Sequence, residues 1–307
     1  MAICFPGTSG GDAGCWFCQF GLTRGYPPLS VFLKGPCEAG FVEGRDVAIE
    51  YRWAQGRHER LPALVDDLVQ RKVSVIAATS TPAAMAARAA NVAIPTVFTT
   101  SGDPIRLGLV SNIDKPNGNL IGTGQFDAGT ASKRLELIRE IFPSATNVGL
   151  LVNPPSPLAS PVSREISEAA AALGFKLQVV RASDALDLAT AFKSLTQMKV
   201  ALVIGSNPFF SSPGVELGRL TLSNRIPAIY QYPQFAAAGG LMSYGGDVAE
   251  SYRQAGIYVG RILKGGLSTC QSRKSPKSNS LSISKRQRPL ASLLPSAMLE
   301  RADEVIE

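Results

Sequence analysis

The chain has 307 residues, 45% hydrophobic and 18% charged, enough apolar material for one large domain or two of ordinary size. No apolar run approaches the roughly 20 residues that cross a bilayer as a helix. The net charge of +7 is matched by seven basic residues between Lys264 and Arg288, a stretch with no acid. The main body is therefore neutral, and the basic tail is weak support for a nucleic-acid partner.

Residues 1–24 (MAICFPGTSGGDAGCWFCQFGLTR) are poorly patterned, with neither the basic start nor the apolar stretch of an export signal. Trp16–Leu22 reads as a poor strand. Cys15-Trp16-Phe17-Cys18 has the spacing of a redox or metal pair, and Cys4 and Cys37 could complete four thiolates. The flanking spacings are irregular and no strand-to-helix pattern frames the pair, so no metal and no cofactor is expected.

From Gly25 the pattern becomes regular. Leu29–Glu38 reads as a helix that Gly35-Pro36 should break or kink. Val47–Trp53 alternates like a strand. His58, the one histidine, sits in a polar lead into the amphipathic helix Leu61–Gln70, where a solvated imidazole is expected. Val73–Ala78 is a buried strand, and Ala83–Ala90 a helix. Between them Thr79-Ser80-Thr81 precedes Pro82, a hydroxyl cap followed by the residue suited to the first helical turn. Strands follow at Ile94–Thr100 and Leu120–Phe126, then the helix Ala131–Ile141. The rhythm repeats with strand Asn147–Val152, helix Ser163–Leu173, strand Lys176–Arg181 and helix Leu186–Gln197. Strand Val200–Ile204, helix Val215–Asn224, strands Ile226–Tyr230 and Leu241–Tyr244, and helix Ser251–Leu263 complete it. Alternating strands and helices of these lengths predict an α/β fold with parallel sheets and right-handed crossovers, in two similar runs.

The strand ends read ATSTP, TTSGDP, VNPPSP, GSNPFF, YQYP and SYGGD. They hold hydroxyls, amides and aromatics but no Cys, His, Lys or Arg, a composition that grips a small polar molecule without reacting with it. Two loop acids, Asp103 and Asp247, offer a thin basis for acid–base chemistry. Asp103 before Pro104 divides between a turn cap and a ligand contact. Asn153 and Asn207, each before Pro, are turn formers or ligand contacts, and Tyr230 and Tyr244 are core residues or pocket walls. Gly122-Thr123-Gly124 lacks the third glycine of a dinucleotide loop, and no GxxxxGK[ST] is present.

The runs GFVEGRDVAIEYRWAQGRHERLPALVDDLV, VIAATSTPAA, IPTVFTTSGDPIRLGLVSN, LLVNPPSP, IPAIYQYPQFAAAGGLMSYG and YRQAGIYVGRILKG closely resemble ABC-transporter substrate-binding proteins of the tryptophan/tyrosine-transport type. The resemblance covers roughly residues 25–265 and resumes at Pro295–Glu307. It implies a two-lobed, periplasmic-binding-protein type I-like fold, with a parallel sheet flanked by helices in each lobe and a ligand cleft between them. Lobe 1 is then 25–125 plus 246–265, and lobe 2 is 126–245. Residues 1–24 and the basic, Ser-rich start of 266–307 depart from the family pattern. The implied function is capture of a solute, with an amino acid or related carboxylate favoured, by a monomer outside the cytoplasm, and delivery to a membrane permease. In that setting the Thr79-Ser80-Thr81 turn receives an anionic group on a helix N-terminus. Asp103 faces an amino group, Asn153 and Asn207 answer from the second lobe, and Tyr230 and Tyr244 line the side-chain pocket. A bilobal sensory module and an α/β enzyme are the alternatives.

Overall fold

The computed structural model describes residues 2–4, 16–19, 27–91, 93–113, 118–124, 130–211, 217–265, 273–274, 279–287, 290, 292 and 294–307. The chain forms two compact units. The first holds Met1–Phe126 and Val248–Lys277, the second Asp127–Asp247 and Ser278–Glu307.

In the first unit the strands are β1 (Ala2–Cys4), β2 (Trp16–Gln19), β3 (Ala48–Trp53), β4 (Val75–Ala78), β5 (Thr96–Thr100), β6 (Leu120–Gly124) and the two-residue Arg273–Lys274. β2 pairs in parallel with β3 and β4, and β4, β5 and β6 continue in parallel. β1 pairs with the same two neighbours, β3 and β4, but antiparallel. Helices α1 (Pro27–Glu38), α2 (Leu61–Gln70) and α3 (Thr81–Ala89) link successive strands. The order β3-β2-β4-β5-β6 means that the winding reverses between β2 and β4.

α1 runs unbroken through Pro36, where the sequence predicts a break or a kink. The reason is non-local. Pro36 has no N–H for the Phe32 carbonyl four residues back, and the helix that ends this unit, which we number α9 (Val248–Leu263), packs closely there. A Cβ on Gly256 would lie 2.2 Å from that carbonyl oxygen. α9 also lies along β4, β5 and β6, burying Tyr252, Ala255, Tyr258 and Val259 with Phe32, Val75, Ile76 and Phe98. His58 is half-buried rather than solvated, and burial pushes its imidazole below the ordinary value of 6.5. A proton there binds less readily in the folded state, so this group withdraws stability as pH falls through that value.

The second unit contains β7 (Asn147–Val152), β8 (Lys176–Arg181), β9 (Ala201–Ile204), β10 (Ala228–Tyr230) and β11 (Met242–Gly245). Its helices are α4 (Thr130–Ile141), α5 (Ala159–Ala172), α6 (Ala185–Met198), α7 (Leu217–Ser223) and α8 (Pro233–Ala237). The parallel order β8-β7-β9-β10-β11 repeats the first unit's plan, with the reversal between β7 and β9. Alternate residues serve opposite faces. Leu150, Val203 and Ile229 join Leu135, Ile138 and Ile166 on one side, whereas Leu151, Leu202 and Ile204 join Phe192 and Leu195 on the other. Burial on both faces is why these strands read as continuous apolar runs.

Within the expected tail, the structure builds β12 (Ser280–Ser284), antiparallel to β11, then α10 (Ser296–Glu300) and β13 (Glu304–Ile306), parallel to β12. Leu281 and Ile283 enter the core of the second unit. The serines of SLSIS hid a strand that exists through its neighbours.

One cation fastens this unit. Arg139, near the end of α4, donates to the carbonyls of Pro143 (3.0 Å), Ala145 (2.8 Å) and Leu173 (2.6 Å). Its guanidinium carbon also lies 3.8 Å from the Phe175 ring centre. Charge-assisted bonds of this kind contribute about 1.5–3 kcal/mol each at most. Arg139→Met keeps the aliphatic stem and removes all of them. The expected result is a loss of about 2–3 kcal/mol in urea unfolding. A loss below about 0.5 kcal/mol would mean that water replaces the guanidinium without penalty.

Candidate functional site

In wound α/β sheets, ligands sit outside the carboxyl ends of the strands where the winding reverses. In the first unit that position lies beyond β2 and β4. The loop after β2 falls outside the described residues, and the loop after β4 is Thr79-Ser80. Thr79 is 3% exposed. Ser80 is extended and caps α3, its Oγ accepting from the Ala83 N–H at 3.4 Å and its carbonyl from the Ala84 N–H at 2.9 Å. Pro82 follows in the first turn, as its fixed φ allows. The Thr81 and Thr100 hydroxyls are 2.9 Å apart, and Thr100 ends β5. Tyr252 of α9 donates to the Thr79 carbonyl at 2.7 Å. Thr79 Oγ1, Thr123 Oγ1 of β6 and Ser251 Oγ of α9 are buried and have no partner among the described residues.

Asp103 sits apart from these hydroxyls in its bonding. Its Oδ1 accepts from the N–H groups of Ile105 (2.9 Å) and Arg106 (3.3 Å), and its Oδ2 lies 3.7 Å from Arg106 Nε. The carboxylate is thus engaged in capping its own turn.

In the second unit the reversal falls between β7 and β9, and the loops there begin Asn153 and Gly205-Ser206-Asn207. Asn153 Nδ2 donates to the Ala182 carbonyl at 3.1 Å. Asn207 Oδ1 accepts from the Phe209 N–H at 2.7 Å, an Asx-type turn. The remaining amide atoms, Asn153 Oδ1 and Asn207 Nδ2, are buried without partners among the described residues, as is Ser243 Oγ in β11. Ser206 and Gln231, at the ends of β9 and β10, are hydrogen-bonded and buried.

The two tyrosines are placed differently. Tyr230 is 3% exposed, edge-on to Tyr232 at 5.3 Å and Phe235 at 5.8 Å, with its hydroxyl 2.8 Å from Ser211 Oγ. That is a core environment. Tyr244 is half-buried against the core, and its carbonyl accepts from Arg134 Nε at 2.8 Å.

Sequence reasoning had not singled out Thr100, Thr123, Ser206, Gln231, Ser243 or Ser251. Four of these lie in strand-end sequences already rich in polar residues and Thr123 lies within the glycine motif of β6, where strand alternation is the available signal for burial. Ser251 lies in the first turn of α9, and only its packing shows it. Among the described residues no three His, Cys, Asp or Glu side chains gather as a metal group, and no helix is long and apolar enough to cross a membrane. Cys37 is exposed and unpaired by disulfide. Cys15 and Cys270 lie outside the described residues.

Comparison with known proteins matches residues 29–306 to a family model described as "ABC transporter substrate binding protein". A curated relative from Clostridioides difficile (strain R20291), named "Tyrosine-binding protein", is 26% identical over 234 residues, 76% of this chain and 67% of its own length. A crystal structure of a conserved domain protein from Vibrio cholerae superposes with a TM-score of 0.82 at 23% identity, covering 94% of this chain and 99% of that one. An ABC domain from Streptococcus pneumonia in complex with L-Trp gives 0.77 at 19% identity, covering 95% and 100%. These likenesses establish the fold, an α/β architecture of the periplasmic-binding-protein kind.

Proposed function

The chain belongs to the ABC transporter substrate-binding protein family, and from that premise we propose that it captures a small molecule, with an amino acid or related carboxylate favoured, outside the cytoplasmic membrane for delivery to a membrane permease. One observation carries this reading. Thr79 Oγ1, Thr123 Oγ1, Asn153 Oδ1, Asn207 Nδ2 and Ser243 Oγ are buried and unpartnered among the described residues, in or just after the strands β4, β6, β7, β9 and β11. Buried polar atoms without partners cost about 1–3 kcal/mol each. In either unit, a bound solute that completes such bonds recovers much of that cost.

The N-terminus of α3 supplies a positive dipole end beside Thr79, which suits a carboxylate. In the second unit the loops after β7 and β9 offer buried amide atoms of both polarities, Asn153 Oδ1 and Asn207 Nδ2, without partners among the described residues. The amino-acid class draws support from a relative named for tyrosine and a similar structure holding L-Trp. The strand-end sequences ATSTP, TTSGDP, VNPPSP, GSNPFF, YQYP and SYGGD carry no Cys, His, Lys or Arg, so the reading is of a binder that leaves its solute unchanged.

A melt of the purified chain against amino acids, small carboxylates and sugars tests it. A solute at about 100 times its Kd adds roughly 2.7 kcal/mol. The expected result is a raised midpoint with one or a few amino acids. A raised midpoint with sugars alone would overturn the ligand class, and chemical turnover of a bound solute would overturn the binder reading.

A further inference from the structure

The two buried asparagines of the second unit have opposite unsatisfied polarities. An amide side chain has an oxygen that accepts and a nitrogen that donates, and its orientation is read from its neighbours. Both neighbours here are backbone groups of one fixed character. Ala182 presents a carbonyl, which only the Asn153 nitrogen can satisfy. Phe209 presents an N–H, which only the Asn207 oxygen can satisfy. Asn153 is therefore left with a free acceptor and Asn207 with a free donor, on side chains 4% and 3% exposed. The residues follow β7 and β9, which are paired neighbours with Leu151 opposite Ile204, so their loops leave the same edge about one strand spacing apart. Among the described residues of this unit the one buried charged side chain is Arg134, which is bonded to the Tyr244 carbonyl.

We propose that this asparagine pair in the second unit selects the side-chain end of an amino-acid solute, requiring an uncharged polar group that accepts from Asn207 Nδ2 and donates to Asn153 Oδ1. A phenol hydroxyl and a primary amide meet that demand. A plain hydrocarbon end leaves both amides unpaired, and a carboxylate end faces the Asn153 oxygen without a proton to offer. The inference rests on the amino-acid reading above and adds the discriminating residues to it. Asn207 sets the specificity because its free nitrogen can be inverted without disturbing its turn. Asn207→Asp keeps an oxygen for the Phe209 N–H and replaces the free donor by an acceptor.

The test is calorimetric titration with two near-isosteric pairs, L-tyrosine against L-phenylalanine and L-glutamine against L-glutamate. Within the pair that binds, the tyrosine or glutamine member is expected to bind at least tenfold tighter to the wild type. Asn207→Asp should erase that preference. Asn207→Ser, whose hydroxyl can hold the same turn, should reduce it and serves if the aspartate variant fails to melt cooperatively. Equal affinities within a binding pair, or a preference that survives both substitutions, would overturn the assignment while leaving amino-acid binding intact. If none of the four binds, the amino-acid reading itself loses its support and this assignment falls with it.

Discussion

Gly256→Ala is expected to destabilise the first unit by about 3 kcal/mol or more. The added Cβ would lie 2.2 Å from the Phe32 carbonyl oxygen, 3.0 Å from Pro36 Cδ and 3.1 Å from Gly35 Cα. Two of these obstacles are backbone, so no rotamer change relieves them. The contact is reciprocal: a Cβ on Gly35 would meet the Gly256 carbonyl carbon at 2.4 Å, and one on Gly260 would meet Ala39 Cβ at 2.5 Å. Gly256 and Gly260 stand four residues apart and so share one face of α9. Accommodating the methyl requires α1 and α9 to separate, which opens the packing of Phe32, Tyr252 and Val259, all buried. Urea unfolding measures the loss. Arg261→Ala, at an exposed position of the same helix, should stay within about 0.5 kcal/mol of wild type. A Gly256→Ala protein as stable as that control would show that the helices are not held at this distance in solution.

Thr79→Val is expected to separate binding from stability. Valine has nearly the shape of threonine and lacks the hydroxyl that is buried without a partner among the described residues. Replacing an unsatisfied polar group by an apolar one of the same shape is neutral or stabilising, so the solute-free protein should melt at the same temperature or slightly higher. Affinity for the solute should fall at least tenfold, about 1.4 kcal/mol. Ser80→Ala should behave differently, because that hydroxyl caps α3 and its loss costs about 1 kcal/mol of stability. Unchanged affinity in Thr79→Val would remove this hydroxyl from the site.

Much of the architecture was legible because local and global preferences agree. The stretch from Val75 to Ala89 is the clearest case: an apolar strand, a hydroxyl cap, a proline in the first turn and an alanine-rich helix all appear as read. Where they disagree, the reason lies in residues distant in sequence. Pro36 stays inside a helix because α9, more than 200 residues later, packs against that stretch. Ser280–Ser284 becomes a strand because β11 and β13 flank it, although its serines and the neighbouring basic residues read as a divergent basic tail. His58 loses water to packing that its polar neighbours did not announce.

The candidate site divides along the same line. Strand-end composition pointed to Thr79, Asn153 and Asn207, and these keep polar atoms without partners among the described residues. Asp103 shares that composition, yet its carboxylate is engaged by its own turn. Thr123 lies in a glycine motif considered for phosphate and set aside, and its significance emerges only with its burial. Composition marks the edge of a sheet where ligands bind, whereas hydrogen-bond accounting decides which atoms there remain available.

The most direct test is titration calorimetry of the amino acid that most raises the melting midpoint. It is run on wild type, on Thr79→Val from the first unit and on Asn207→Ser from the second, with the solute recovered and identified afterwards. The account predicts a solute recovered unchanged, and at least tenfold weaker binding in the variant of the unit that holds it. Wild-type affinity in both variants, or a chemically altered solute, would contradict it.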